Sequence, residues 1–168
     1  MSRLFITRFL NSYMLVASLF LLPACNDGKI YHCYKHVQQS EWEKSDTMVF
    51  AVPTIQGSGH YKLGAGLRIN HTYPFMGLTL IIDQEVFSST GHNKHPQIVT
   101  SHSDTIACNL ITQKGNTLGK GISYLQYDIP VKQLQLNQGD SLVVKIRHDM
   151  KRETLPGISD IGVVMTSL

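Results

Sequence analysis

The chain has 168 residues, of which 42% are hydrophobic and 16% charged, with a formal net charge of +3. A chain of ~150 residues buries roughly 70% of its unfolded surface, so one domain with a full core is expected and wholesale disorder is excluded. Only one stretch, at the very start, is apolar over a length that matters to a bilayer, which excludes a polytopic membrane protein.

Arg3 and Arg8 precede an apolar run over residues 13–22, and no acidic residue occurs before Asp27. This is the charge layout of a signal peptide, and residues 1–24 are expected to be removed. Without them 13 Lys/Arg face 12 Asp/Glu, so the working part of the chain is nearly neutral. No cluster of Lys/Arg stands out for counterion release, and no nucleic-acid partner is expected. The leader ends in Leu22-Pro23-Ala24-Cys25, which resembles a bacterial lipobox: an aliphatic residue three before the cysteine and a small one directly before it. Pro23 departs from the commonest small residue at its position. The pattern predicts a diacylglyceryl group on the Cys25 sulfur and an acyl chain on its new amino group. Each buried CH₂ adds ~0.8 kcal/mol, so two or three chains make the attachment nearly permanent. A membrane is therefore the first partner, held through Cys25. The alternative is an ordinary secretory signal with a chance cysteine near its end.

With Cys25 carrying lipid, Cys33 and Cys108 form an even pair. A disulfide between them would close a loop of about 75 residues and contribute on the order of 4 kcal/mol in the chain-entropy model. The alternative is two unpaired cysteines, Cys108 being an ordinary core residue in the alternating Ile106-Cys108-Leu110.

Residues 25–29 form the lipidated cysteine and a short polar tether, and residues 30–168 alternate with period two. Residues 30–37 suggest a strand, followed by Met48-Phe50-Val52. The clearest strand sets Leu63, Ala65, Leu67 and Ile69 against Lys62, Gly64, Gly66, Arg68 and Asn70. Further strands are expected at Leu78-Leu80-Ile82, Ile106-Cys108-Leu110, Leu125-Tyr127-Ile129, Leu142-Val144-Ile146-His148-Met150 and Ile161-Val163-Met165. Gly, Pro and Asn clusters separate these runs, as turn chemistry requires. The longest stretch without a pattern is 84–104, polar and holding His92, His95 and His102, and it is expected to be irregular. Seven or eight strands in this length predict an all-β fold, a single antiparallel β-sandwich.

Catalytic signatures are scarce. No Gly-x-Ser-x-Gly elbow, His-Glu-x-x-His helix or phosphate-cradling loop occurs. Asp83 and Glu85 share one strand face, but glycosidase carboxylates usually come from different strands. His92, His95 and His102 lack the helical spacing or the Cys and carboxylate partners of a zinc site. His32 and His36 share a face that a half-buried strand explains. No enzyme activity, metal or cofactor is expected. Trp42 is either a rim anchor for a partner or a plug for the end of the sandwich. The densest charged stretch holds Arg147, Asp149, Lys151 and Arg152, either a solvated strand end or a polar contact patch for a partner protein.

Trp42, Phe50 and Tyr61 are followed by Leu67-Arg68, Tyr73-Pro74-Phe75 and Gly119-Lys120-Gly121. The series ends in Ile146-Arg147-His148-Asp149-Met150-Lys151-Arg152 and Leu155-Pro156-Gly157-Ile158-Ser159-Asp160-Ile161-Gly162. Behind an acylated cysteine, this order resembles the gliding-motility lipoprotein family GldH of the Bacteroidota, over nearly all the mature chain. One departure is Leu118, where an aromatic residue is expected before the Gly-Lys-Gly turn. The resemblance implies a non-enzymatic, membrane-anchored accessory component of the cell envelope. Its implied partners are envelope proteins of a gliding and linked secretion complex. The competing class is a glycan-binding sandwich lipoprotein, which requires a row of exposed aromatics on one face. Asn26-Asp27-Gly28-Lys29 lacks a run of acids resembling a surface-export tag, so a periplasm-facing anchor is expected.

Overall fold

The computed structural model describes residues 28–88 and 97–168. The expected leader, Cys25 and residues 92–95 lie outside that range. The described strands are β1 (Lys29–His36), β2 (Glu41–Glu43), β3 (Met48–Val52), β4 (Gly59–Ile69) and β5 (Gly77–Ser88). They continue as β6 (Gln97–Asn109), β7 (Leu125–Leu136), β8 (Ser141–His148), β9 (Thr154–Pro156) and β10 (Ile158–Ser167). Two four-stranded antiparallel sheets, ordered β1-β10-β4-β7 and β3-β8-β5-β6, pack face to face, and a two-stranded ribbon β2-β9 closes one end. The expected sandwich is present, with eight strands in its two sheets. Among the described residues no helix is long and apolar enough to cross a membrane.

Period-two alternation places the core. On β4 the inward side chains Tyr61, Leu63, Ala65, Leu67 and Ile69 are all buried, and on β8 so are Leu142, Val144, Ile146 and His148. Phe50, Leu80, Ile82 and Val163 meet them between the sheets. Each such side chain contributes about 1.5–3 kcal/mol relative to exposure. On β7 the inward parity changes: Tyr127 is buried before Pro130, whereas Leu134 and Leu136 are buried after it. A bulge causes the change, since Gly64 faces Pro130 while its neighbour Leu63 faces Lys132. Pro130 lacks a ladder donor and is tolerated because β7 is an edge strand.

On the outer face of the first sheet Tyr34, Gly162 and Gly66 stand side by side on β1, β10 and β4. The Tyr34 ring lies flat across both glycines, where a Cβ at Gly162 would come within 2.7 Å of it. The Arg68 guanidinium covers its other side, 4.1 Å from the ring centroid. Two glycines that leave the alternating pattern without a side chain thus have a packing role.

One expectation changes and two open alternatives are decided. Most of the stretch 84–104 is regular: β5 and β6 form a long hairpin, with Gln84 opposite His102 and Ile82 opposite Asp104. The pattern was hidden because polar groups pair inside the open edge of the sandwich. Gln84 Nε2 donates to Asp104 at 2.8 Å, and Lys132 of β7 reaches Asp104 at 3.0 Å. Second, the bridge between Cys33 and Cys108 is not formed, since both thiols are free. Cys33 sits on β1, which stands against β3, and Cys108 on β6, which stands against β7. Opposite corners of a sandwich are separated by about 17 Å, given ~10 Å between sheets and three ~4.8 Å strand spacings. A disulfide requires Cα atoms within ~7 Å. Burial pushes the Cys108 thiol up to about 11, which keeps it protonated. Third, Trp42 is fully buried and is no partner contact. It lies on β2 opposite Leu155 of β9, donates its indole N–H to the Asp46 carbonyl at 2.9 Å and meets His148 edge-on. It plugs the end of the sandwich.

Candidate contact surface

The groups that chemistry could use are neutralised or apart. Asp83 and Glu85 face outward on β5, and each is taken by a cation of β8: Arg147 hydrogen-bonds Asp83, and Lys145 lies 2.7 Å from Glu85. Burial alone would raise the Asp83 carboxyl, but hydrogen bonds from Ser103 and Arg147 hold it below the usual range. Both carboxylates are therefore rungs of an ion-pair ladder. His32 and His36 are exposed on β1, and His36 lies 3.4 Å from Asp160. His102 is exposed on β6, remote from both. No group of three or more His, Cys, Asp or Glu that could hold a metal occurs among the described residues. A trough of about 540 Å³ runs over Gly64 on the outer face of the first sheet, with His32 and Asp128 on its walls. Those two residues belong to β1 and β7, three strand spacings or roughly 14 Å apart, too far to share a proton.

The charged stretch after β8 is ordered, and its members have different fates. Arg147 is committed to Asp83. Asp149 donates its backbone N–H to the Thr79 carbonyl at 2.8 Å, and its carboxylate stands 3.9 Å from Lys44. Lys44 in turn donates to the Met150 carbonyl at 3.0 Å. Lys151 is exposed and forms no ion pair among the described residues, while Arg152 lies over the Phe75 ring at 5.8 Å. The structure thus leaves Lys151 and Arg152 presented to solvent and ties Arg147 and Asp149 into the scaffold.

Arg152 belongs to a wider surface at the same end, made by the segments 70–76, 110–124 and 149–153. Asn70 starts the first with its side chain accepting from the Thr72 N–H at 2.9 Å. Tyr73 packs edge-on against Phe75 and donates to the Gly77 carbonyl. The Met76 carbonyl accepts from Leu110 and Ile111, and a His71 ring nitrogen lies 3.0 Å from the Ile122 carbonyl, so the first two segments are joined by backbone. Met76, Leu118, Ile122 and Tyr124 project from them into solvent, Ile122 at 89% exposure. Lys114, Lys120, Lys151 and Arg152 stand on the same segments. Exposed methionine, aromatic and aliphatic side chains beside an arginine match the composition of protein contacts.

Sequence reading located Lys151 and Arg152 here but missed Met76, Ile122 and Tyr124. A signal was present: Ile122 and Tyr124 follow Gly119-Lys120-Gly121 in a turn segment, where apolar side chains have no core to enter. The row of aromatics needed for glycan stacking is missing among the described residues. Among the described residues Tyr124 is the one strongly exposed Phe, Trp or Tyr, and Trp42, Phe50, Tyr61 and Tyr127 are buried.

A family model described as GldH lipoprotein matches residues 29–165. The chain is similar to the gliding motility lipoprotein GldH of Flavobacterium johnsoniae, 27% identical over 166 residues, covering 92% of this chain and 95% of that one. It is also similar to a protein of Christiangramia forsetii named gliding motility lipoprotein GldH homolog, 25% identical over 162 residues, covering 89% and 91%. Among solved structures, a protein from Sulfurospirillum deleyianum shares the fold with a TM-score of 0.50 at 9% identity, over 82% of this chain and 98% of that one.

Proposed function

The chain belongs to the GldH lipoprotein family, and from that premise we propose a non-catalytic, membrane-anchored accessory component of gliding motility and its linked protein-secretion machinery, acting through protein contacts. Residues 1–24 direct export, Cys25 carries the acyl chains, and the β domain works on the periplasmic side. The relatives' names, gliding motility lipoprotein, support the anchored role. The lipobox-like Leu22-Pro23-Ala24-Cys25 supplies the attachment chemistry.

The observation that carries the contact role is the surface of Met76, Ile122 and Tyr124 beside Lys151 and Arg152, because these apolar side chains are exposed on loops held by backbone hydrogen bonds. A surface fixed in this way loses little further entropy when a partner covers it. Deleting the gene in its host and complementing with wild type or with Ile122→Asp plus Arg152→Glu tests the role. Wild type is expected to restore spreading, secretion and the composition of the envelope complexes. The double variant, at equal abundance, is expected to restore none of them. A deletion that leaves all three unchanged would remove the proposed function, and full restoration by the double variant would remove this surface from it.

A further inference from the structure

We propose that the opposite end of the sandwich seats on an anionic lipid surface, with Ile30, Ile98, Val99 and Leu168 entering the headgroup layer beside Lys29 and Lys62. The inference rests on the proposed acylation of Cys25 and goes beyond it, since an anchor alone leaves a domain free to hang in any orientation.

Three observations converge on that end. The described chain starts at Gly28, three Cα-to-Cα steps from Cys25, a reach of at most about 11 Å. The strand register fixes what surrounds this start. Lys29 pairs with Thr166, Thr166 with Lys62 and Gly59 with Leu136, so the beginnings of β1 and β4 and the ends of β10 and β7 lie together. Ser167 donates to the Gly28 carbonyl and Leu168 to the His60 carbonyl, both at 3.0 Å. On the second sheet Ser141 and Ile98 flank Phe87, and Val99 lines a pocket with Leu136 and Asn137. The whole end therefore lies close to the anchor.

Exposure is the second observation. Leu168 is 62% exposed, Val99 57%, Ile98 56% and Ile30 41%. These four come from β1, from β6 and from the residue that follows β10, segments remote in sequence that meet only at this end of the fold. Apolar side chains of this kind, next to a short tether, match the layer where interfacial segments settle.

Charge is the third. Lys29, Lys62 and His60 occupy this end, and its one described side-chain carboxylate, Asp140, is buried and accepts the Asn137 N–H at 2.8 Å. Glu85, the next along β5, is held by Lys145. Glu41, Glu43, Asp46, Asp149, Glu153 and Asp160 all lie towards the far end. Lys114, Lys120, Lys151 and Arg152 offset those acids at the far end, so the attraction of headgroup phosphates is carried by Lys62 and Lys29 at the rim of the anchor end and not by a charge difference between the two ends.

The test uses the full-length protein purified from a host that processes lipoproteins and reconstituted into vesicles of phosphatidylethanolamine and phosphatidylglycerol. Leu168→Trp and Ile98→Trp report the anchor end and Ile122→Trp the far end, over the constant signal of buried Trp42. Doxyl-labelled lipid is expected to quench the first two, and aqueous iodide the third. Equal iodide quenching of all three would overturn the proposal. Lys62→Gln is expected to lower the ratio of seated to lifted protein about fivefold; an unchanged ratio would overturn the electrostatic half. Lipid-borne photo-crosslinking of the unsubstituted protein needs no variant to fold. Adducts confined to residues 28–30, 59–62, 97–99 and 166–168 support the seat, and adducts at 70–76 or 118–124 refute it. The mass of the N-terminal peptide is read first. If no acyl group is found the anchoring reading fails, and the seat is still decided by the same crosslinks with an N-terminal hexahistidine held by nickel-chelating lipid.

Discussion

The two ends of this sandwich both expose apolar side chains, but they are closed differently. At the far end Trp42, Val37 and Leu155 are buried beneath the β2-β9 ribbon, and backbone bonds lock the segments together. Gly157 donates to the Ser40 carbonyl at 2.7 Å, Lys44 to Glu153 at 2.7 Å and Val37 to Ser159 at 2.9 Å. At the anchor end strands begin and finish, the smaller Ile55 is buried and bonded through its backbone to Gly139 and Asp140, and among the described residues nothing covers Leu168 and Ile98. The contrast separates two ways of using an exposed apolar residue. On a locked surface it offers a fixed shape that a protein partner matches, whereas near a tether it needs only to be apolar, which suits a lipid layer.

The largest effect that sharpens this contrast is at the plug. Trp42→Ala removes the biggest fully buried side chain of the far end and is expected to destabilise the fold by about 3–5 kcal/mol. Leu168→Ser at the anchor end is expected to change stability by less than about 0.5 kcal/mol. Urea unfolding of the two variants decides the matter. A Trp42→Ala cost comparable to that of Leu168→Ser would mean that the far end is not held by its plug.

Next in size is Gly157, where β9 turns into β10 with φ of 89°. A Cβ here would lie 2.4 Å from the Tyr73 backbone nitrogen, so the residue is constrained by conformation and by contact. Gly115 also has positive φ, 83°, but nothing stands within 4 Å of its Cβ position. Gly115→Ala is expected to cost about 1 kcal/mol through conformation alone. Gly157→Ala is expected to cost more, roughly 2–3 kcal/mol, because the backbone of Tyr73 has to move as well. Equal costs in thermal unfolding would show that the close approach does not matter to the far end.

These positions also show what a single sequence reveals. The strands around Leu67, Val144 and Val163 were legible because one face is buried and the other wet, which imprints period two. The short β2 and β9 were not, since three residues carry no period. Trp42 was readable only as a plug or an anchor, because a large aromatic between strands suits both and burial alone separates them. The β5-β6 hairpin was hidden by Gln84, Asp104 and Lys132, polar residues that satisfy one another at the open edge. On the candidate surface, charge marked Lys151 and Arg152, whereas the pairing of Arg147 with Asp83 across strands depends on the register of β5 with β8, which no local pattern encodes.

The smallest expected effect is a pH dependence that differs between the plug and the rest of the molecule. His148 is buried against Trp42, and its Nδ1 accepts from the Met150 N–H at 3.4 Å while Nε2 has no hydrogen-bond partner. Burial lowers its affinity for a proton below the ordinary histidine value; Lys44 acts in the same direction, and the Trp42 backbone, Glu153 and Asp149 oppose it. The unfolded chain therefore binds a proton at this position more readily than the folded one. Its stabilising share is complete above the unfolded value of about 6.5 and is lost as pH falls from there through the folded value. Asp83 and Asp104 are shifted down. Burial opposes the shift at Asp83 but is outweighed by Ser103 and Arg147, whereas Gln84 and Lys132 lead it at Asp104. Their share persists at that pH and is lost only below the ordinary carboxylate value of about 4. Melting temperature is thus expected to decline in two stages on acidification. His148→Phe is expected to abolish the first stage and leave the second, whereas Asp83→Asn weakens the second alone. A first stage that survives His148→Phe would place the acid-sensitive group outside the plug and would break the contrast between the two ends.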